Sequence, residues 1–294
     1  MARPAPDTMT SEVMREDRRS RHARDMATAS RAHSHSFGML LREHRSRKHW
    51  SQSTLAEEAE VSTRHLSFLE TGKATPSREM VLVLSSALDL PLRDRNALLG
   101  AAGFAPVYRE NALDSPAMSD LRRAIDLLLA HHEPYPAMVF DPLWNVVKLN
   151  QGAGALLGSL VTLDGRGTSI FSNGMRFLFH PEGARPYLEN WPEVAAYVLD
   201  QLRREVHTSP REGCRELLAE IEALAGEHAS LPPPRLETPL LEVRIKKGDV
   251  RLRFFTTITT LGTPLDVTAQ ELRIETYFPA DAETRAIVEA LRTA

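Results

Sequence analysis

Two short runs with helical spacing, placed back to back, constrain this chain more than any other feature. Ser51-Gln52-Ser53-Thr54-Leu55-Ala56 opens the first, and Ser62-Thr63-Arg64-His65-Leu66-Ser67-Phe68-Leu69-Glu70-Thr71-Gly72 forms the second. Each starts with a serine whose hydroxyl suits a helix N-cap, and Gly72 suits a left-handed helix stop. Leu55 and Ala59 share one side of the first helix, and Leu66 and Leu69 share one side of the second. Glu60-Val61 leaves space only for a tight turn, with Val61 packed between the helices. Two crossing helices follow, and the second must leave a polar side outward.

The flanking sequence completes a bundle. Ser36 can cap a helix from about Phe37 to Lys48, with Phe37, Leu40 and Leu41 on its apolar side. Pro76-Ser77 opens a fourth helix, in which Met80, Val81, Leu84 and Leu88 recur at helical spacing. Leu92 to Ala102 makes a fifth, stopped near Gly103. The prediction is an all-α, five-helix domain over residues 36–104.

Its outward stripe has a chemistry. Thr63 and Arg64 stand on the first turn of the third helix, and Ser67 one turn further. An arginine there has the fork geometry to bond a guanine edge, and its neighbours can add hydroxyl or methyl contacts. Ser62 caps the same turn. Gln52, opening the preceding helix, is placed to hold a phosphate beside the helix amides. Arg45, Lys73 and Arg78, with Arg42, Arg47 and Lys48, are candidates for contacts to the sugar–phosphate backbone. A net charge of -3 does not announce a nucleic-acid binder, but such contacts need only one basic face. On these grounds alone, a bundle with ordinary solvated faces remains an alternative.

The residue identities add a resemblance. Gln52-Ser53-Thr54-Leu55-Ala56, Val61-Ser62, Leu69-Glu70-Thr71-Gly72 and Pro76-Ser77 resemble the lambda-repressor-like helix-turn-helix of xenobiotic-response-element (XRE) type regulators. The resemblance spans about Phe37 to Gly103. It implies that Gln52, Thr63, Arg64 and Ser67 approach DNA and that Glu70 is structural. One position departs: the turn usually holds glycine, and here it holds Glu60. A left-handed glutamate there costs some strain and puts a negative charge near the DNA-facing side.

Beyond the bundle the pattern changes. Residues 105–116, with Pro106, Asn111, Asp114 and Pro116, form a short linker. A helix from Ala117 to His131 precedes Ala137-Met138-Val139-Phe140 and Trp144 to Leu149, two strands around Asp141-Pro142. A short helix (Gln151 to Leu160) and two longer ones (about Pro192 to Val206 and Glu212 to Glu227) follow, and Leu231-Pro232-Pro233-Pro234 is a rigid break. Leu241 to Ile245 and Val250 to Phe254 alternate as strands around Lys247-Gly248-Asp249, the second extending towards Leu261. Leu272 to Phe278 alternates again, and a helix begins near Asp281. This predicts an α+β domain over 117–294, with about five antiparallel strands. Residues 1–35 lack large aliphatics and are expected to be a disordered, solvated tail, although Arg18 to Arg24 is basic.

In this part, His132-Glu133-Pro134-Tyr135-Pro136-Ala137, Trp144-Asn145-Val146-Val147, Asn150, Asn173, Met175-Arg176, His180-Pro181-Glu182-Gly183 and Asn190-Trp191 resemble the ligand-binding domain of MmyB-like transcription regulators. The resemblance implies a PAS-like fold enclosing an apolar cavity, with a fatty acid or similar apolar small molecule as occupant. Read without it, the residues leave two options. Tyr135, Phe140, Trp144, Phe177 and Trp191 line a pocket or simply pack a core. Asn150, Asn173, Arg176, His180 and Asn190 orient a ligand or tie down loops.

The expectation is therefore a sequence-specific regulator that binds double-stranded operator DNA as a homodimer, answers a small apolar effector and requires no cofactor. The alternative is a second domain that only dimerises or scaffolds. Catalysis is not expected: there is no H-E-x-x-H metal pattern, no G-x-S-x-G elbow, Walker loop or dinucleotide fingerprint, and no sequence reason to pair Cys214 with His180. The single cysteine excludes an internal disulfide and fits a reducing compartment. With no bilayer-length apolar run and no signal-like start, a cytoplasmic protein without a membrane partner is expected.

Overall fold

A computed structural model describes residues 36–160, 168–208, 211–230, 232 and 240–291. The tail over 1–35, with its basic run, and most of the Leu231–Pro234 break lie outside the described residues. Contacts divide the chain into two units, Met1–Arg109 and Glu110–Ala294.

The first unit contains α1 (36–47), α2 (Gln52–Glu58), α3 (Thr63–Glu70), α4 (Arg78–Ala87) and α5 (Leu92–Ala101). The serine caps form as the sequence requires: Ser51, Ser62 and Ser77 accept from the amides of Thr54, His65 and Met80 at 3.0, 3.2 and 3.1 Å. Phe37, Leu41, Leu55, Leu66, Leu69, Val81, Leu84, Leu88, Leu98 and Leu99 form one fully buried core. α1 sits close on the end of α3, since a Cβ on Gly38 would lie 2.4 Å from the Leu69 carbonyl oxygen. Inside this apolar bundle the Glu70 carboxylate takes three donors. Arg45 Nε and Nη2 reach it at 2.6 and 2.9 Å, and Gln52 Nε2 at 2.8 Å. One side chain thus locks α1, α2 and α3 together.

The second unit is built on a five-stranded antiparallel sheet of order β2-β1-β5-β4-β3. The strands are β1 (Ala137–Phe140), β2 (Val146–Leu149), β3 (Glu242–Lys247), β4 (Val250–Thr259) and β5 (Arg273–Pro279). Its helices are α6 (Ser119–His131), α7 (Gln151–Leu160), α8 (Thr168–Phe171), α9 (Gly174–Phe179), α10 (Trp191–Thr208), α11 (Cys214–Ala225), α12 (Val267–Glu271) and α13 (Ala282–Leu291). β4 is long enough to pair with β3 through its first half and with β5 through its second.

Strand alternation divides the apolar material between the two faces. Ala137, Val139 and Ile274 pack with Leu272 against Ile125 and Leu129 of α6. Met138, Phe140, Ile245, Leu252 and Phe254 point the other way, into a core shared with α7, α9, α10 and α11. β1 is therefore buried along its whole length, as its unbroken apolar run demands.

The turn between α2 and α3 places Glu60 at φ +54°, so the departure from glycine carries the backbone strain that the sequence suggests. Left-handed backbone costs a side-chain-bearing residue about 1 kcal/mol or more. Glu60→Gly is expected to stabilise the protein by about 1 kcal/mol in chemical denaturation, after the extra entropy of glycine in the unfolded chain is allowed for. A loss of stability would show instead that the glutamate side chain holds the turn.

Candidate DNA-facing helix and ligand cavity

The N-terminal half of α3 presents its polar side to solvent. Ser62, Thr63 and Arg64 are exposed, Ser67 is half-buried, and Lys73 and Arg78 are exposed beyond the helix. The Arg64 guanidinium lies 5.4 Å from the centre of the Phe68 ring, which steadies it along the helix. Ser62 spends its oxygen on the cap. Gln52 is half-buried at the start of α2 and donates one amide hydrogen to Glu70.

Arg45 has to be withdrawn from the candidate phosphate contacts. Its side chain is 11% exposed, its two forked nitrogens are held by Glu70, and Nη1 donates to the Trp50 carbonyl at 2.6 Å. Reaching a phosphate would break a buried ion pair, at a cost of roughly 3–5 kcal/mol. Burial and this pairing explain its place in the sequence.

The second unit contains a cavity of about 300 Å³ between the inner sheet face and α7, α9 and α10. Met138, Phe140, Trp144, Val146, Leu156, Leu160, Met175, Phe177, Leu188, Val243, Ile245 and Ile258 supply most of its wall. That size is at the lower end for small-molecule pockets, and a mostly apolar lining is typical of them. Trp144 is held there by its turn, in a left-handed conformation at φ +62°. The Asp141 carboxylate accepts from the amides of Leu143 and Asn145 at 2.8 and 2.9 Å, and Arg273 stacks 4.7 Å from the indole.

Of the ten predicted ligand contacts, three line this cavity: Phe140, Trp144 and Phe177. The other seven have structural roles. Asn150 is buried; it accepts from the amides of Ala137 and Ala153 and donates to the Tyr135 carbonyl, all within 2.9 Å. Asn173 caps α9 and donates to the Leu143 carbonyl at 2.7 Å. Asn190 ties the start of α10 to β3, donating to the Glu242 carbonyl at 2.7 Å and accepting from the Arg244 amide at 3.0 Å. Arg176 forms a two-pronged pair with Glu220. His180 accepts from the Glu182 amide at 3.1 Å, closing its own turn. The Tyr135 hydroxyl donates to Glu289 at 2.9 Å. Trp191 packs edge-on against Phe179, 5.0 Å away, under the Arg185 guanidinium. Polar side chains that bridge layers satisfy backbone groups first, and none of these seven residues lines the cavity.

The polar group that does stand in the wall is Glu275, with Thr256, Tyr277 and Gln201. Its strand neighbours across β1 and β4 are Met138 and Ile258. Desolvation pushes its pKa up to about 7, against hydrogen bonds from the Thr256 and Tyr277 hydroxyls that favour the ionised form. Burial, and then the neighbouring carboxylate, push the Tyr277 hydroxyl well above its ordinary value. Alternation alone reads Arg273, Glu275 and Tyr277 as a solvent face. The all-apolar β1 signals a strand buried on both faces, but it does not say which of its two neighbours is inside: β5 is, while β2 is mostly exposed.

The profile of the MmyB-like transcription regulator ligand binding domain matches residues 121–291, more than half of the chain. The chain belongs to that family. A helix-turn-helix domain profile matches residues 36–98. The protein is thus a sequence-specific, DNA-binding helix-turn-helix regulator with an MmyB-like, PAS-like ligand-binding domain. Its partners are operator DNA and a small-molecule effector, and its cavity is that of a small apolar ligand. Both families are regulatory and not catalytic. Among the described residues no cluster of three or more His, Cys, Asp or Glu could hold a metal ion, and no helix is long and apolar enough to cross a membrane. No curated protein matches the chain. A solved structure described as that of an RNA-binding light-oxygen-voltage receptor aligns with 99% of this chain and 68% of its own at 13% identity. The TM-score of that alignment is 0.27.

The raised carboxyl of Glu275 makes stability depend on pH. The folded state holds its proton up to about 7, the unfolded state only to about 4.5. The folded form binds more protons in between, so this contribution is complete below about 4.5 and is lost as pH rises through about 7. Glu275→Gln removes the titration. Relative to that variant, the wild type is expected to lose roughly 3 kcal/mol between those limits, measured by denaturation across pH. Parallel pH profiles would mean that Glu275 titrates normally.

Proposed function

We propose that this regulator binds a roughly palindromic operator as a homodimer and is switched by a small effector whose apolar, fatty-acid-like chain occupies the cavity. The observation that carries the reading is the cavity itself, walled by aliphatic and aromatic side chains, in a chain that also carries the helix-turn-helix. A domain that served only as a scaffold would fill that space with its own core.

In this reading Thr63 and Arg64 reach base edges from α3, with Ser67 behind them. Lys73 and Arg78 touch phosphates, and Gln52 and Ser62 hold the helix start against the backbone. Two heads are required because one short recognition helix gives limited affinity and specificity. Support for a dimer comes from exposed apolar side chains on neighbouring elements: Leu127 and Leu128 of α6, and Val147 and Leu149 of the edge strand β2. Lys148 of β2 and Asp126 of α6 are ion-paired, which makes these elements neighbours. The effector acts by binding better to one arrangement of the dimer than to another.

Native mass spectrometry of freshly purified protein, followed by extraction of any passenger, tests the effector and the dimer together. The expected spectrum is a dimer carrying a stoichiometric apolar molecule. A monomer, or a protein that neither carries nor takes up apolar compounds, would overturn the corresponding half of the reading. For the DNA-facing helix, Arg64→Ala is expected to reduce operator binding by about 1–3 kcal/mol while leaving binding to random DNA nearly unchanged. An equal fall on both DNAs would make Arg64 a phosphate contact.

A further inference from the structure

Glu275 is the one ionisable carboxyl in the described cavity wall, and that wall contains no Lys, Arg or His among the described residues. Its place follows from sheet register. Odd-numbered positions of β5 share a face with Met138 and Phe140 of β1, and with Thr256 and Ile258 of β4. Glu275 therefore stands between Met138 and Ile258, with the Thr256–Tyr277 cross-strand pair one step along. Both of those residues carry hydroxyls and both line the cavity. The result is a small polar station on a mostly apolar wall, to which Gln201 and Tyr197 add the other polar groups.

A carboxylate accepts hydrogen bonds and donates none. In a desolvated wall it favours a partner that brings a proton or a positive charge, and it disfavours a second carboxylate, since two close carboxylates cannot both ionise. We propose that the cavity takes an amphipathic effector whose hydrogen-bond-donating head, an amine or a hydroxyl, binds Glu275 while its hydrocarbon tail lies along the apolar wall. This rests on the reading of the cavity as the effector site and narrows it: the chain of a fatty acid fits, but its carboxylate head does not belong at this station. Thr256 and Tyr277 position the Glu275 carboxyl and can turn their own oxygens to the same head group.

Three probes with one tail length separate the possibilities. Decylamine, decanol and decanoate are titrated into the full-length protein above pH 7, where Glu275 is ionised. Calorimetry is the readout, with tryptophan emission, to which Trp144 in the cavity wall contributes, as a second signal. The expected order is decylamine, then decanol, then decanoate, with at least about tenfold between first and last. In Glu275→Gln that spread is expected to fall below about threefold, while the alkyl chain still binds. Thr256→Val with Tyr277→Phe leaves the carboxylate in place, so it is expected to keep decylamine ahead of decanoate. The head-group order in the wild type decides the matter even if a variant fails to fold. Decanoate binding as tightly as decylamine, or a preference for decylamine that survives Glu275→Gln, would overturn the inference and leave the cavity reading standing. Failure of all three probes to bind would overturn the cavity reading itself.

Discussion

Burial of the inner face of a five-stranded antiparallel sheet is the constraint from which the ligand-binding unit follows. α7, α9, α10 and α11 cover the inner face, while α6 covers the outer face over β1 and β5 with Ile125 and Leu129. An antiparallel sheet can leave one face to water, and here the outer face does so over β4, where Arg251, Arg253, Thr257 and Thr259 are exposed. The inner layer of helices does not fill the space over β1, β5 and β4. That unfilled space is the cavity. Its wall is apolar because it is the same sheet face that builds the core, so recognition and stability draw on the same side chains.

Three buried asparagines hold this arrangement in place. Asn150 joins the end of β2 and the start of α7 to β1, Asn173 anchors α9 beside the Asp141–Asn145 turn, and Asn190 fastens α10 to β3. Each sits where the chain passes between layers and backbone groups lack a ladder or helix partner. A buried backbone group without a partner costs about as much as a lost hydrogen bond, and an asparagine offers both a donor and an acceptor at short reach. The same logic operates in the DNA-binding unit through Glu70. Its carboxylate gathers Arg45 and Gln52, so that the angle of α3 is set by charge-assisted bonds as well as by apolar packing. Buried polar residues in both units position the working surfaces without belonging to them.

Much of this was legible in the chain. The serine caps, the Gly72 stop and the apolar spacing of Leu55, Leu66, Leu69, Val81 and Leu84 are local features, and the helices form where those features place them. β3, β4 and β5 also fall where alternation locates them, and β1 falls on its unbroken apolar run. The candidate contacts fared unevenly for a physical reason. Aromatic residues beside apolar strands point inward wherever the core is, so Phe140, Trp144 and Phe177 reach the cavity. A polar residue's partner is a matter of three-dimensional neighbours. Asn150, Asn173, Asn190, Arg176 and His180 found backbone groups or carboxylates, and Arg45 found Glu70.

The sequence by itself determined the longer helices and the strands, the two-unit order, the exposed stripe of Thr63 and Arg64, and the strain at Glu60, since each depends on residues close along the chain. The short helices α8, α9 and α12 carry no such local signal. The tertiary structure alone decided which face of β5 is inside. Glu275 has the alternation of a solvent-facing residue, and only the helices packed over the inner face of its sheet put it in a cavity wall beside Met138, Ile258, Thr256 and Tyr277. Alternation specifies that successive side chains diverge. Which of the two sides meets water depends on what packs there, and here that is supplied by helices distant in sequence.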